Sequence, residues 1–178
     1  MEAILSFIPV PVAVILMAAG FVSLAVGGIR LGYKATVKNL ALDLVNVRLL
    51  LEPGMAEMAA LNATDEDIER IQRLCDRVES KIHSGDLYIE DDIAFHTCIA
   101  ESSKNMVVEQ LIPIIDTAVM MFVNVTHKKL TEETILTHRM ITEAIARHDP
   151  IGARSAMVMH LNFNRNCIRK LYDGEWET

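Results

Sequence analysis

The stretch that decides the fold is TEETILTHRMITEAIARHDPIGARSAMVMHLNFNRNCIRKLY, residues 131–172. It reads as two helices. Thr131 caps the first, and Glu132 and Glu133 lie where the helix dipole favours negative charge. That helix runs to about Arg147. Asp149-Pro150 then supplies a cap followed by proline at the first helical position, so a second helix starts there and ends near Tyr172. Folded as an antiparallel hairpin, the two helices bring His138 and His160 level: each lies eleven residues from Asp149, ~16 Å along a helix. Ile135, Leu136 and Ile141 surround the first histidine, and Met157, Val158, Met159 and Leu161 flank the second. An imidazole without a partner is costly in such apolar settings.

The helical pattern extends upstream. Leu40, Leu44, Val47, Leu51 and Met55 recur every three or four residues and predict an apolar stripe, with Pro53 bending or restarting the helix. Asn62-Ala-Thr64-Asp-Glu-Asp67 is a start signal, Thr64 capping and Asp67 completing a capping-box spacing. The next helix carries Ile68, Ile71, Leu74, Cys75 and Val78 and stops at Ser84-Gly85-Asp86. Another begins near Ile89 and carries Asp92, Phe95, His96, Ile99 and Ala100. Beyond Ser102-Ser103-Lys104-Asn105, a long apolar helix is predicted from Met106 to about Thr126, kinked at Pro113. With no strand alternation, repeat or low-complexity tract, the fold class is all-α, helices packed on helices.

Asp92 and His96, four residues apart, project from one helix face and can share an ion. Joined to His138 and His160, they make one carboxylate and three imidazoles, a set that suits Zn, Ni or Mn and leaves positions open for water or an acidic ligand. The competing reading is that His138 and His160 are core histidines satisfied by hydrogen bonds. His83, His127 and His148 lie in or beside turns and read as solvated, and Met120, Met121, Met140, Met157 and Met159 read as core filling.

At 178 residues the chain can bury one substantial core, not two. Its net charge of -7 argues against a free-standing nucleic-acid binder, which needs clustered Lys and Arg on phosphates. Cys75, Cys98 and Cys167 show no CxxC spacing and read as reduced, mostly buried thiols.

Residues 1–37 differ in composition from the helical domain expected over residues 38–178. No charged residue falls between Glu2 and Arg30, and residues 3–29 are long enough to cross a bilayer as a helix. With Arg30, Lys34 and Lys38 behind it, such a helix would tether a cytoplasmic domain to the inner face of the plasma membrane. The alternatives are a mis-assigned start and an apolar helix packed on the body.

Several of these residues form an ordered set of motifs. They are Val47-Arg48-Leu-Leu-Leu-Glu52-Pro53 with Ala59-Ala60, Asp92-Ile-Ala-Phe95-His96, Ser103-Lys-Asn105, His138-x-x-Ile141-x-x-Ala144-Ile145, and Asp149-x-x-x-Ala153-x-x-x-Met157-x-x-His160-Leu161. Together they resemble the FCD domain, the C-terminal effector domain of the FadR subfamily of GntR transcription regulators, over about Leu40 to Tyr172. The resemblance implies an antiparallel helical bundle with a central pocket, a divalent metal on Asp92, His96, His138 and His160, and a small organic acid as effector. It also implies Arg48 and Asn105 as ligand-binding residues. A guanidinium at position 48 could fork a carboxylate; the alternative is a surface arginine paired with Glu52 one turn on. Members of the subfamily carry a winged helix before this domain, whereas residues 1–37 hold no helix-turn-helix pattern. Direct DNA binding by this chain is therefore not expected, and the implied protein partner is a second copy or a full-length regulator in a mixed dimer.

The resulting expectation is a metal- and acid-sensing effector domain and not an enzyme. Two alternatives stand beside it: a membrane-anchored helical sensor or dimerisation protein, and a metal-dependent hydrolase. For the hydrolase, Glu101 is the candidate base, five residues from His96 and off the Asp92–His96 face.

Overall fold

The computed structural model describes residues 28–126 and 130–173. The chain divides into two compact units, Met1–Asn39 and Leu40–Thr178. The segment read as a membrane helix, residues 3–29, lies outside the described residues except for Gly28 and Ile29. Among the described residues no helix is long and apolar enough to cross a membrane.

Seven helices and no strand occur among the described residues: α1 Gly28–Asn62, α2 Asp65–Ser84, α3 Ile89–Ser102, α4 Met106–Glu109, α5 Ile112–Thr126, α6 Thr131–Ala146 and α7 Pro150–Asp173. The all-α expectation is met. The most extensive packing is α6 along α7; α2 lies on both α3 and α6, and α5 on both α3 and α7.

Local signals explain most boundaries. The Thr64–Asp67 capping box is formed, with Thr64 N–H donating to Asp67 Oδ2 at 2.9 Å and Asp67 N–H to Thr64 Oγ1 at 3.2 Å. Gly85, at φ 76°, ends α2 in the left-handed conformation that a side chain disfavours. Asp149 caps α7 by accepting from Gly152 N–H at 2.9 Å, and its carboxylate fills the space where a Cβ on Gly152 would stand. His148, at φ 51°, closes the turn between α6 and α7 and shares its Nδ1 with the Ala60 carbonyl at 2.9 Å, so it is exposed yet tied to α1.

Three expectations need correction. The helix from Met106 to Thr126 is broken, not kinked: α4 stops at Glu109, the residue whose carbonyl the Pro113 ring would strike, and α5 restarts at Ile112 with Pro113 in its first turn. Thr131 does not cap α6. The cap position is Leu130, which makes no side-chain cap bond and is held by burial in the core. The stripe on α1 is displaced by one residue over its first half. Ala41, Val45, Arg48, Glu52, Met55, Ala56, Ala59 and Ala60 are buried, while Leu40 is half exposed and Leu50 is 82% exposed. Three fully buried alanines allow close helix approach, which the larger leucines would prevent. The helix runs through Pro53 without restarting.

The core has two apolar clusters. One gathers Ala56, Ala59 and Ala60 with Ile71, Phe95, Ile141, Ile145, Met157 and Leu161; the other joins Val45 and Met55 to Tyr88, Ile115, Phe122 and Ile168. Cys75, Cys98 and Cys167 are buried free thiols, as expected. Ion pairs tie the helices at their margins: Arg77 reaches Asp91 at 2.5 Å with Lys81 on the same carboxylate, and Arg139 reaches Asp76 at 2.6 Å.

Candidate metal and effector site

The hairpin does what its spacing dictates. His138 on α6 and His160 on α7 stand with ring centroids 4.8 Å apart. α3 brings His96 to the same place, with centroids 5.5 Å from His138 and 5.1 Å from His160. One ring nitrogen from each of the three lies within 4.8 Å of the others, and all three residues are buried. Phe95, the residue before His96, stacks on the His138 ring at 4.2 Å and fixes its plane. Asp92 approaches through His138, its Oδ1 lying 3.4 Å from His138 Nε2.

Arg48 and Asn105 part company. Arg48 is not on the surface: it is 1% exposed, donates from Nε to Glu52 Oε1 at 2.5 Å and from Nη2 to Glu52 Oε2 at 3.2 Å, and its Nη2 lies 3.1 Å from His96 Nε2. Asn105 is exposed; its side chain caps α4 by accepting from Val107 N–H and Val108 N–H. Glu101 pairs with Arg70 at 2.6 Å near the surface.

Burial and charge set the ionisation. Burial would raise the Glu52 carboxyl, but Arg48 and His96 together hold it down to about 2, so it is a carboxylate. Burial pushes Asp92 up, against the pull of His96 and Arg48 and with the repulsion of Glu52. His138 is held well below the usual imidazole value by burial, then by His96 and Arg48; His160 likewise by burial, then by His138, His96 and Arg48. Both rings are therefore neutral near neutral pH, the form that ligates a metal.

The chemistry of these donors fits a divalent ion. Asp92 Oδ1 and both nitrogens of His138 are buried with no hydrogen-bond partner. Such atoms are expensive to leave unmade, and an ion is a partner that a carboxylate and an imidazole can share. His160, by contrast, has Thr137 Oγ1 at 2.9 Å from Nδ1 and Asn164 Nδ2 at 3.3 Å from Nε2. Glu52, Thr137 and Asn164 were not singled out from sequence. Asn164 follows His160 by four residues, so helical spacing could have found it; Glu52 stood in the Val47–Pro53 motif, with no role read for it beyond that of an i,i+4 partner of Arg48.

Residues 43–163 match the FCD domain. The chain belongs to the FCD-domain family. Among curated relatives of this FCD domain, the uncharacterized HTH-type transcriptional regulator YcbG of Bacillus subtilis is 30% identical over 73% of this chain and 55% of its own length. The HTH-type transcriptional regulator LutR of the same organism is 32% identical over 67% of this chain and 58% of its own length. The solved structure of a Streptococcus agalactiae GntR has 31% identity and a TM-score of 0.64, covering 73% of this chain and 60% of that one. The bundle is thus an effector domain of the GntR/FadR type, and the chain spans about half the length of the curated relatives it matches.

Proposed function

We propose that residues 38–178 form a metal-dependent sensor of a small organic acid within a cytoplasmic transcriptional regulator, with residues 1–37 a separate leader. Asp92, His96, His138 and His160 hold the ion, which is Zn, Ni or Mn by its donors. One observation carries the reading: three buried imidazoles converge within 4.8 Å beside a carboxylate oxygen and two imidazole nitrogens that no hydrogen bond satisfies. When bound, the ion supplies positive charge for Asp92 and open positions for an acid's oxygen. The residues themselves exclude water, orient the donors and keep the rings neutral. Sensing suits this site better than hydrolysis, since Glu101 is engaged with Arg70 and away from the histidines.

Elemental analysis after mild purification is expected to find about one divalent metal per chain. A protein that stays metal-free on titration with Zn, Ni and Mn would overturn the reading. The working form is a dimer, with a second copy or with a full-length regulator. At net charge -7, this chain by itself is expected to leave duplex DNA unbound at physiological salt, which a gel shift with competitor DNA checks.

A further inference from the structure

Which nitrogen of a histidine carries the proton is set by its neighbours. At His96, Nδ1 faces Glu52 Oε2 at 2.8 Å, and Nε2 faces Arg48 Nη2 at 3.1 Å. An ionised carboxylate can only accept, and a guanidinium can only donate. Glu52 therefore calls for a ring protonated at Nδ1, with its lone pair at Nε2. Arg48 Nη2, 3.1 Å from Nε2 and 3.4 Å from Nδ1, lies nearly level with both nitrogens, so it sits over the ring and leaves the in-plane Nε2 lone pair uncovered.

His160 is treated alike by different groups. The single proton of the Thr137 hydroxyl is committed to the Glu133 carbonyl at 2.6 Å, so its oxygen accepts from His160 Nδ1 at 2.9 Å. The Asn164 amide donates to Nε2 at 3.3 Å.

We propose that Glu52 and Thr137 are positioning residues that lock His96 and His160 in the Nδ1–H tautomer, so that each presents an Nε2 lone pair to a divalent ion. Asn164 covers the His160 lone pair until an ion displaces it. The inference rests on the metal reading above and adds Glu52 and Thr137, which lie outside the metal-ligand set. Arg48 grips both oxygens of Glu52, from Nε at 2.5 Å and Nη2 at 3.2 Å, and so fixes the acceptor that His96 faces.

The test starts from the metal-free full chain. Long-range proton–nitrogen correlation spectra of the imidazole rings are recorded at neutral pH, with the two residues assigned by the loss of their signals in His96→Gln and His160→Gln. Both rings are expected to be protonated at Nδ1 and bare at Nε2; an Nε2–H ring at either residue overturns the proposal. Thr137→Val keeps the side-chain shape and removes the acceptor, and Glu52→Gln removes the anionic demand. Each is expected to mix the tautomers of its own histidine and to weaken zinc binding in calorimetric titration by roughly 10–100-fold, the usual effect of losing an outer-shell partner. Unchanged zinc affinity in a variant whose ring signals have mixed would overturn it. If wild-type protein binds no zinc, the metal reading falls, while the ring spectra still decide the tautomer lock.

Discussion

His138 and His160, placed symmetrically about Asp149 in the sequence, face each other across the α6–α7 hairpin with ring centroids 4.8 Å apart. The placement makes His160 a direct probe of metal binding. An ion that binds only the folded chain adds about 2.7 kcal/mol of stability at a hundred times its Kd. His160→Ala should melt lower than wild type in zinc and gain much less from the zinc itself. Melting curves with and without metal read the difference; equal gains in the two proteins would show that His160 is not a ligand.

The metal-free protein should lose stability in mild acid. His138 and His160 are held well below the ordinary imidazole value, burial being the largest cause. Unfolded, both take up protons near pH ~6.5. The unfolded chain thus binds more protons in this range, so stability is whole above ~6.5 and is lost progressively as pH falls below it. Asp92, raised by burial, works in the opposite direction, one group against two. Glu52, held down to about 2, adds stability that is present above the ordinary carboxylate range and lost as pH falls toward that value. Urea midpoints compared at about pH 7.5 and about 5.5 should fall with pH, and a rise would contradict the assignment.

The burial pattern on α1 makes a paired prediction. Ala56 is fully buried against the first core cluster, so Ala56→Leu should cost about 1–3 kcal/mol by overpacking. Leu50 points outward, so Leu50→Ala should change stability by no more than about 0.5 kcal/mol. Denaturant midpoints for the two variants decide it; a large loss from Leu50→Ala would mean that this face is covered.

A protein beginning at Lys38 should fold without the leader, because both core clusters draw on Ala41 and later residues. Circular dichroism should give a helical spectrum with a cooperative melt. An aggregated product would place the leader in the core.

Much of this was legible from short-range rules. The Thr64–Asp67 box, the stop at Gly85 and the start at Asp149-Pro150 each depend on atoms within a turn of one another. Such bonds are the same wherever the helix lies. Pro113 was legible only in part. Its ring forbids the helical carbonyl at Glu109, but whether the helix bends or breaks depends on whether the severed ends find other partners, and here Gln110 N–H donates to the Val107 carbonyl, Leu111 N–H to that of Val108, and Ile115 N–H to that of Leu111.

By itself the sequence determined the helical class, most helix limits and the approach of His138 to His160, because a fixed rise per residue turns equal spacing into equal height. Asp92 and His96 followed from the same periodicity. Tertiary structure decided which face of α1 turns inward. Arg48 and Glu52 make the same i,i+4 pair on a surface as in a core, so nothing within the helix tells the two apart. They are buried because their charges offset each other and because His96, from another helix, adds a contact of 2.8 Å to the Glu52 carboxylate. That meeting, between residues nearly fifty positions apart, arises only when α1 and α3 come together.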